Sequence, residues 1–404
     1  MQPADLIQPL SGIRVIELAR VLAGPWAGQM LADMGADVIK VENPDGGDDT
    51  RAWGPPFVEG KDGENLSAAY YHSTNRGKRS VIVDLKTEEG QGIVRQLVAG
   101  ADVVIENFKR GGLQKYGLDY ESLRAVNPRL VYCSITGFGQ DGPYADLAGY
   151  DYIVQGMSGF MSITGETEGQ PMKAGVAIAD IFTGVYAVTA IQAALIHVMR
   201  TGHGQHVDMA LLDVMAAVLA NQNMNYLVSG TAPNRLGNAH PNISPYEVIP
   251  VRDGHIILAV GNDGQFRRFC TILGIEAAAD DERFATNRAR VAHRVEVREM
   301  LVEKTVQWPK ADLLTACGKN AVPAGPINSV AEMFDDPQVK ARALRIDLPD
   351  ADGNLIPGVR TPVVLSETPL AYYRPSPRLG EHTDEVMMEL MISEMKKAAR
   401  GTVE

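Results

Sequence analysis

The sequence lacks the features that mark several large classes of protein. It has only three cysteines in 404 residues, and their odd number and scattered positions argue against a disulfide framework and for a reducing cytoplasm. No apolar run approaches the roughly 18 residues that a membrane span needs. The N-terminal segment has no basic stretch followed by an apolar core, so we expect no signal peptide and a cytoplasmic protein.

Positive charge is also scarce. The formal net charge is −12, which makes general binding to nucleic acids a poor hypothesis. Any anionic ligand must therefore be met by a local cluster of basic residues. The content of 45% hydrophobic and 22% charged residues is ordinary for a globular protein, and the length suggests two domains or one large domain with an insertion.

Several catalytic and cofactor motifs are missing. Only Gly24 and Gly28 approach a G-x-G-x-x-G pattern, and Pro25 interrupts it, so a dinucleotide site is weakly supported. Neither a phosphate-binding P-loop nor a G-x-S-x-G nucleophile motif occurs. His203 and His206 have a spacing that could chelate a metal, but they lie in a turn with no cysteine nearby, which favours exposed turn histidines. We expect no metal and no prosthetic group.

The first part of the chain alternates short apolar runs with helical patterns. We predict strands at 13–18, 36–42, 79–85, 101–107 and 129–138, and helices at 25–35 and 87–100. Such alternation is typical of an α/β fold with a doubly wound parallel sheet, in which ligands bind beyond the carboxyl ends of the strands.

The later part predicts a second, smaller α/β domain. A long apolar helix is predicted at 180–200, followed by a strand running into a long helix over 206–228. Residues 231–245 are rich in proline and asparagine and read as a linker. Beyond them we predict a hairpin over 246–261 that turns at Asp253-Gly254, helices near 263–273, 287–306 and 309–318, and a final helix at 382–399.

Two basic clusters stand out against the acidic background. The first is "NRGKRS" (75–80), with Arg76 and Lys78, and the second is "ENFKRGG" (106–112), with Lys109 and Arg110. Each cluster alone is more typical of a solvated surface. Together on one α/β sheet they could hold the phosphates of a large anionic cofactor. The residues alone leave this choice open.

Three further stretches each permit two interpretations. Asp180 in "GVAIADIFTG" (175–184) is either a helix N-cap or a carboxylate that does chemistry. The segment 149–166 is either a core helix or a pocket wall that presents Asp151 as an acid. Gly261 and Gly264 bracket a turn that is either an ordinary connection or a mobile lid whose N–H groups stabilise an oxyanion.

The order and spacing of several blocks resemble a known family, the family III CoA-transferases of the CaiB/BaiF group. The blocks are "LSGIRVIELARVLAGPWAGQMLADMGADVIKVE", "NRGKRSVIVDLK", "VVIENFKRGGLQKYGLDY", "SITGFGQDGPYAD" and "GVAIADIFTGVYAVTAIQAAL". The resemblance implies a large Rossmann-like domain built from residues 1–225 and 329–404, a small α/β domain at 226–328, and an interlocked, ring-like homodimer.

The resemblance also implies roles for individual residues. Asp180 matches the family's nucleophile, and Gly261–Gln265 matches its glycine lid, although Asn262 and Asp263 replace two of the glycines found in the formyl-CoA branch. That branch has a glutamine where this chain has Leu22. The residues expected to contact CoA, including those of the basic clusters, are Val21, Ala23, Arg76, Lys78, Asn107, Phe108, Lys109, Arg110 and Lys115.

The implied reaction moves CoA from an acyl-CoA to a carboxylic acid through aspartyl anhydride and aspartyl-CoA intermediates. The segment 149–166 is similar to members that act on succinate and glutarate, so succinyl-CoA and a dicarboxylate are the favoured substrates. We expect the N-terminus of the helix to keep Asp180 ionised. An α-methylacyl-CoA racemase is the nearest alternative, but Tyr150 stands where its histidine would be, and tyrosine is a poor base at neutral pH. A catalytically silent CoA-binding protein is the other alternative.

Overall fold

A computed structural model describes residues 7–401, with side chains described as far as Lys396. The chain divides into two compact units. The first comprises the described residues up to 159, together with 174–223 and the described residues from 342. The second comprises 160–173 and 224–341. The chain therefore returns to the first unit at residue 342 rather than at the predicted 329, and it also contributes residues 160–173 to the second unit.

Strands occur in both units. They are β1 (Arg14–Glu17), β2 (Asp37–Glu42), β3 (Phe57–Glu59), β4 (Asn65–Ala68), β5 (Arg79–Ile82), β6 (Val103–Glu106), β7 (Val131–Thr136), β8 (Gln205–Ala210), β9 (Tyr246–Val251), β10 (Gly254–Ala259), β11 (Ala324–Pro326), β12 (Arg345–Pro349) and β13 (Leu355–Val359).

Helices connect most of these strands. They are α1 (Ala23–Asp33), α2 (Ala69–His72), α3 (Glu88–Ala99), α4 (Tyr120–Val126), α5 (Asp151–Met157), α6 (Ile178–Thr201), α7 (Leu211–Val218), α8 (Asn221–Ser229), α9 (Asp263–Leu273), α10 (Asn287–Ala292), α11 (Arg294–Thr305), α12 (Lys310–Lys319), α13 (Val330–Asp335), α14 (Pro337–Ala341) and α15 (Thr383–Gly401).

The first unit is organised around a six-stranded parallel sheet in the order β5-β2-β1-β6-β7-β8. This is the doubly wound order in which the chain proceeds outward from the centre in both directions, which confirms the predicted fold class. The strands β1 and β6 are neighbours at the centre, where the direction of winding changes. Such a change opens a crevice beyond the carboxyl ends of these two strands.

The core of the first unit covers one face of this sheet. Val81, Val104 and Tyr132 pack there against Leu97 of α3 and Val386 of α15. The strands β1, β2 and β6 are buried at nearly every position, because helices cover both faces of a parallel sheet. Helix α15 is also tied to the sheet through Arg79 of β5, which forms ion pairs with Glu385 and Glu389 at 2.9 and 2.7 Å.

The second unit has a separate core. Its sheet has the order β11-β10-β9, and both pairings are antiparallel. The predicted hairpin at Asp253-Gly254 is confirmed, since β9 ends at Val251 and β10 begins at Gly254. Phe266 and Phe269 of α9 pack on this sheet together with Leu301 of α11.

Two predicted helices are interrupted in the structure. The predicted helix within 206–228 consists of α7 and α8, and Ala220 between them adopts a positive φ of 46°. The predicted helix 287–306 is divided into α10 and α11 at His293. The short hairpin β3–β4 was not predicted, because tertiary packing rather than local sequence decides whether such short strands pair.

Helix α6 corrects the expectation that no apolar segment is long enough to span a membrane. It has 24 residues, and an 18-residue window within it reaches a mean hydropathy of 1.7. Of that window, 44% is buried inside the protein. Core helices of folded proteins meet the same criteria, so this one helix is a weak indication of a membrane span.

Candidate active site

Asp180 lies in the first turn of α6 but does not cap it. The cap residue is Ala177, which offers no side-chain acceptor. An oxygen of Asp151, the first residue of α5, instead accepts a 2.7 Å hydrogen bond from the Ala179 N–H and a longer one of 3.4 Å from the Asp180 N–H. Asp151 therefore serves as the N-terminal acceptor of α6, and the carboxylate of Asp180 is not used in capping.

Asp151 is itself held in place by a buried glutamine. Its second oxygen accepts a 2.7 Å hydrogen bond from the side-chain amide of Gln155, which has no exposed surface. The carbonyl oxygen of the same amide accepts from the Ala174 N–H at 2.8 Å. The helix α5 and the start of α6 are thus joined by one polar network. Val154 and Gln155 of α5 are fully buried, whereas Tyr152 and Met157 are about half exposed, so the helix is partly core and partly surface.

The electrostatic setting of Asp180 differs from the expectation. Burial, followed by the neighbouring charge of Asp151, raises the pKa of Asp180 to about 7. The helix N-terminus does not outweigh these effects, because its first N–H groups are already satisfied by Asp151. Asp180 is therefore close to half ionised at neutral pH rather than fully ionised.

Tyr70 is a further member of this site, and no sequence pattern indicated it. It is half-buried, and burial raises its pKa, followed by the charges of Asp180, Asp151 and Asp48. The ring of Trp53 meets the Tyr70 ring edge-on at 5.4 Å between centroids. The phenol therefore stays protonated at neutral pH and is a hydrogen-bond donor.

Gly184 brings the first turns of α6 close to α1. A Cβ atom at this position would lie 2.8 Å from the carbonyl oxygen of Ala23 and 2.9 Å from Cδ1 of Trp26. Only glycine permits this approach without a shift of one helix. As a result, Asp180 lies one helical turn from a position that packs against the start of α1.

The crevice predicted by the sheet topology contains a cavity of about 350 Å³, here called the switch-point cavity. It is lined at the carboxyl ends of β1, β2, β5 and β6, notably by Arg20, Asp48, Lys86, Phe108 and Tyr116. The predicted residue Asn107 braces its edge, since its side chain accepts from the Arg20 N–H at 2.9 Å and donates to the Arg20 carbonyl at 2.7 Å.

The cavity combines cations with aromatic rings. Arg20 and Lys86 are exposed at its wall, and Arg20 also contacts Asp49 at 3.0 Å. Phe108 and Tyr116 supply half-buried rings. Arg20, Lys86 and Tyr116 were missed by the sequence-based reasoning. The position of Lys86 just after the predicted strand 79–85 could have indicated it, because ligands bind at that end of a parallel strand.

Val21 and Ala23 link this cavity to the start of α1. Val21 adopts a positive φ of 72°, which is unusual for a β-branched residue, and its N–H lies 3.3 Å from each carboxylate oxygen of Asp48. Ala23 is buried as the first residue of α1. A strained backbone held at this point is the kind of feature found at ligand sites.

Arg76 and Lys78, both predicted to contact CoA, are buried and already paired within the fold. Arg76 makes a two-pronged ion pair with Asp33, at 3.0 and 2.6 Å. The Lys78 ammonium lies 2.8 Å from Glu17 and 2.9 Å from the Pro25 carbonyl, and the side chain has no exposed surface. Such groups stabilise the fold and cannot reach a phosphate without losing these partners.

The second basic cluster is exposed, but it faces another cavity. Lys109 and Arg110 line a space of about 430 Å³ together with Glu106, Ser134 and His206. Arg110 also forms an exposed ion pair with Asp146 at 3.2 Å.

His206 and Lys115 were also singled out in the sequence. His206 lies in β8, stacked on Tyr120 at 5.1 Å, which corrects its interpretation as a turn residue. Lys115 is exposed, and its ammonium lies 4.6 Å from the centre of the Tyr116 ring, which lines the switch-point cavity. Of the predicted basic contacts, Lys115 is thus the one beside that cavity.

The predicted lid, Gly261–Gln265, lies in the second unit where β10 leads into α9. The side chain of Gln265 accepts from the Gly261 N–H at 2.7 Å. The side chain of Asn262 accepts from the Gln265 N–H at 2.9 Å. The Gly261 N–H is therefore engaged within the turn.

Asn262 and Asp263, which replace glycines of the formyl-CoA branch, both hold this turn in place. Asp263 forms a 2.7 Å ion pair with Arg290, whose guanidinium group is fully buried. Gly264 lies in the first turn of α9. Movement of this turn and the participation of Gly261 and Gly264 in catalysis stay predictions.

Comparison with known proteins identifies the family. The sequence pattern described as CoA-transferase family III matches residues 10–383. This chain belongs to CoA-transferase family III. The resemblance to that family is thereby confirmed, and the chain is a CoA-transferase.

Two similar proteins are named as CoA-transferases, and the crystal structure of a third is known. The chain is 78% identical over 382 residues to the succinate--glutarate CoA-transferase of Agrobacterium fabrum, covering 95% of this chain and 96% of that protein. It is 40% identical over 387 residues to the succinyl-CoA:glutarate CoA-transferase of Homo sapiens, covering 95% and 86%. The crystal structure of a CaiB/BaiF family protein from Brucella suis superposes with a TM-score of 0.85 at 60% identity, covering 95% of this chain and 99% of that one.

Proposed function

We propose that this protein transfers CoA between succinate and a second dicarboxylate, with Asp180 as the covalent nucleophile. The observation that carries the proposal is the setting of Asp180. Its carboxylate is half-buried, does not cap the helix, and ionises near neutral pH. It also lies within one helical turn of Gly184, where α6 closely contacts α1. A desolvated carboxylate in this position is a competent nucleophile toward a thioester.

CoA binds in the switch-point cavity under this proposal. Its adenine is a flat aromatic group, for which Phe108 and Tyr116 offer ring surfaces. Its phosphates are anionic, and Arg20 and Lys86 supply exposed positive charge in an otherwise acidic protein. The thioester end then points toward Val21 and the start of α1. CoA acts here as a substrate, and the proposed reaction uses no prosthetic group.

The first half of the reaction loads CoA onto the protein. The Asp180 carboxylate attacks the thioester carbonyl carbon, the C–S bond breaks, and CoA leaves as a thiolate with a mixed anhydride left on Asp180. The thiolate attacks the aspartyl carbonyl of that anhydride. The C–O bond to the donor acyl group breaks, the donor acid leaves as its carboxylate, and Asp180 carries CoA as a thioester.

The second half delivers CoA to the acceptor. The acceptor carboxylate attacks the aspartyl-CoA carbonyl and displaces the thiolate, which forms a new anhydride. The thiolate then attacks the acyl carbonyl of this anhydride and releases both the new acyl-CoA and the Asp180 carboxylate. Each attack places negative charge on a carbonyl oxygen, which a hydrogen-bond donor stabilises. Among the described residues of the first unit, we assign this role to the protonated Tyr70 phenol.

The substrate assignment rests on similarity. The relatives at 78% and 40% identity are named for transfer involving succinate or succinyl-CoA and glutarate, and the match spans nearly all of this chain. We therefore place succinyl-CoA as donor and glutarate as the first acceptor to be tried. Other dicarboxylates of similar length form the rest of the acceptor class.

The protein works as a homodimer in the cytoplasm under this proposal. Large apolar side chains are exposed in both units, among them Tyr152 and Met199 in the first and Leu227 and Val228 in the second. Exposure of this kind marks surfaces that a partner covers. Size measurement in solution against a mass of 43.7 kDa per chain tests the assembly.

One experiment tests the reaction. The protein is incubated in deuterated water with succinyl-CoA and a panel of acids, and the CoA esters are followed by mass spectrometry. We expect glutaryl-CoA to form, and Asp180→Asn to abolish it, while Asp335→Asn on the exposed surface leaves it unchanged. Deuterium at the α-carbon without exchange of acids would indicate a racemase instead. Tight CoA binding with neither reaction would indicate a silent CoA-binding protein.

A further inference from the structure

Glu106 is a buried carboxylate that the proposed chemistry does not use. It is the last residue of β6, and only 6% of it is exposed. One of its oxygens accepts a 2.7 Å hydrogen bond from the N–H of Phe108, two residues further along the chain. This short bond closes the turn by which the chain leaves the sheet and enters the segment 107–116.

A second layer of polar groups fixes the Glu106 carboxylate. Burial has the largest effect on its pKa and raises it to about 7, whereas Ser134, which lies opposite it on the neighbouring strand β7, lowers that pKa. Ser134 also lies 2.9 Å from Nε2 of His206 on β8. Ser134 and Nε2 of His206 share one hydrogen bond, whose direction depends on the histidine tautomer. Three adjacent strands thus contribute to holding one carboxylate.

The turn that Glu106 closes forms part of the switch-point cavity. The Phe108 ring lines that cavity, and the Arg20 guanidinium lies 6.0 Å from the ring centre. Asn107, between Glu106 and Phe108, braces the Arg20 backbone on the opposite side. The Glu106 carboxylate is therefore bonded to the backbone that carries the Phe108 ring, although Glu106 itself lines the other cavity.

We propose that Glu106 is a positioning residue for acyl-CoA, acting through the backbone of Phe108. It holds the ring in place before the ligand arrives, so that binding does not have to order the turn. This inference rests on the proposed function, because it assumes that CoA occupies the switch-point cavity. Removal of the Glu106 oxygen that accepts from the Phe108 N–H weakens CoA binding. A neutral side chain of the same shape, which keeps such an oxygen, maintains it.

Two variants of the same residue separate positioning from simple packing. Glu106→Ala removes the acceptor, and we expect about a tenfold rise in the Kd for CoA by calorimetry and a similar rise in the KM for succinyl-CoA, with kcat changed less than about twofold. Glu106→Gln keeps an oxygen that accepts from the Phe108 N–H, so its Kd is expected within about twofold of the parent protein. Ser134→Ala, a milder change, is expected to raise the Kd about threefold.

A double-mutant cycle with Phe108→Ala tests the route of the effect. If Glu106 or Ser134 acts through the ring, its substitution adds little to the loss that Phe108→Ala already causes. Unchanged CoA affinity in both Glu106→Ala and Ser134→Ala, or full additivity with Phe108→Ala, overturns the inference. Should Glu106→Ala fail to fold, the Ser134→Ala cycle and the Glu106→Gln variant decide it alone. Failure of the parent protein to bind CoA would refute the cavity assignment instead.

Discussion

Replacement of Asp151 by asparagine should shift the pH dependence of the chemistry while leaving its ceiling nearly intact. Asp180 reacts as a carboxylate, and its pKa is raised to about 7 by burial and by the charge of Asp151. The reactive form is therefore present above pH 7 and is lost as the pH falls through that value. Asp151→Asn removes the like charge but keeps an oxygen for the Ala179 N–H, so the pKa of Asp180 falls toward its ordinary value.

The size of the effect follows from the fraction of Asp180 that is ionised. If loss of one neighbouring charge lowers the pKa by about one unit, the ionised fraction at pH 6 rises from roughly one tenth to roughly one half. The variant should thus react about fivefold faster than the parent protein at pH 6 when each rate is scaled to its value at pH 8. At pH 8 both proteins are almost fully ionised, so no difference arises there from ionisation.

The assay is a single-turnover measurement of the covalent aspartyl-CoA species between pH 5 and pH 9, trapped and detected by mass spectrometry. Asp151→Ala is the matched variant, since it removes the same charge and also the acceptor. It should show the same shift, together with a loss of stability of about 1 kcal/mol from the uncapped helix. An acid limb that stays at the same pH in Asp151→Asn, or moves upward, refutes the reasoning.

Three further predictions concern packing, binding and stability. Gly184→Ala should reduce kcat strongly and destabilise the protein by about 1–3 kcal/mol, because the new methyl group meets the Ala23 carbonyl at 2.8 Å; a thermal melt and an activity assay check this, and an unchanged kcat would contradict it. Lys86→Ala should raise the KM for succinyl-CoA about tenfold and reduce its salt dependence, whereas an unchanged KM would remove Lys86 from the CoA site. Arg290→Met should lower the free energy of unfolding by about 3 kcal/mol, because it leaves the Ser244 and Phe284 carbonyl oxygens without their donor; denaturant unfolding with no loss would show that these bonds contribute little.

Much of the first unit could be predicted because its strands are short buried runs between helices. The predicted strand 13–18 contains β1, and the predicted helix 87–100 contains α3, whose start Thr87 caps by accepting from the Gly90 N–H. Elements decided by tertiary packing could not be predicted. The break at Ala220 depends on a left-handed backbone at a residue that normally favours helices, which no local pattern signals.

The candidate site could also be predicted only in part. The sequence alone left Asp180 as either a helix N-cap or a reactive carboxylate, and the family resemblance implied the second role. Its electrostatic state depends on Asp151, whose contact spans 29 positions of sequence. The basic residues Arg76 and Lys78 resemble surface charges in the sequence. Their partners lie 43 and 61 positions away, so burial and pairing emerge only from the folded chain.

Helix α15 has a consequence for the order in which the protein is made. All six strands of the large sheet have been synthesised once Ala210 is added, but the helix that covers β5 begins at Thr383. Until then Arg79 lacks Glu385 and Glu389, and the site filled by Val386 is open to water. A nascent chain therefore carries an uncovered sheet edge for almost half of its translation, and a premature stop near the end of the message leaves that edge exposed permanently.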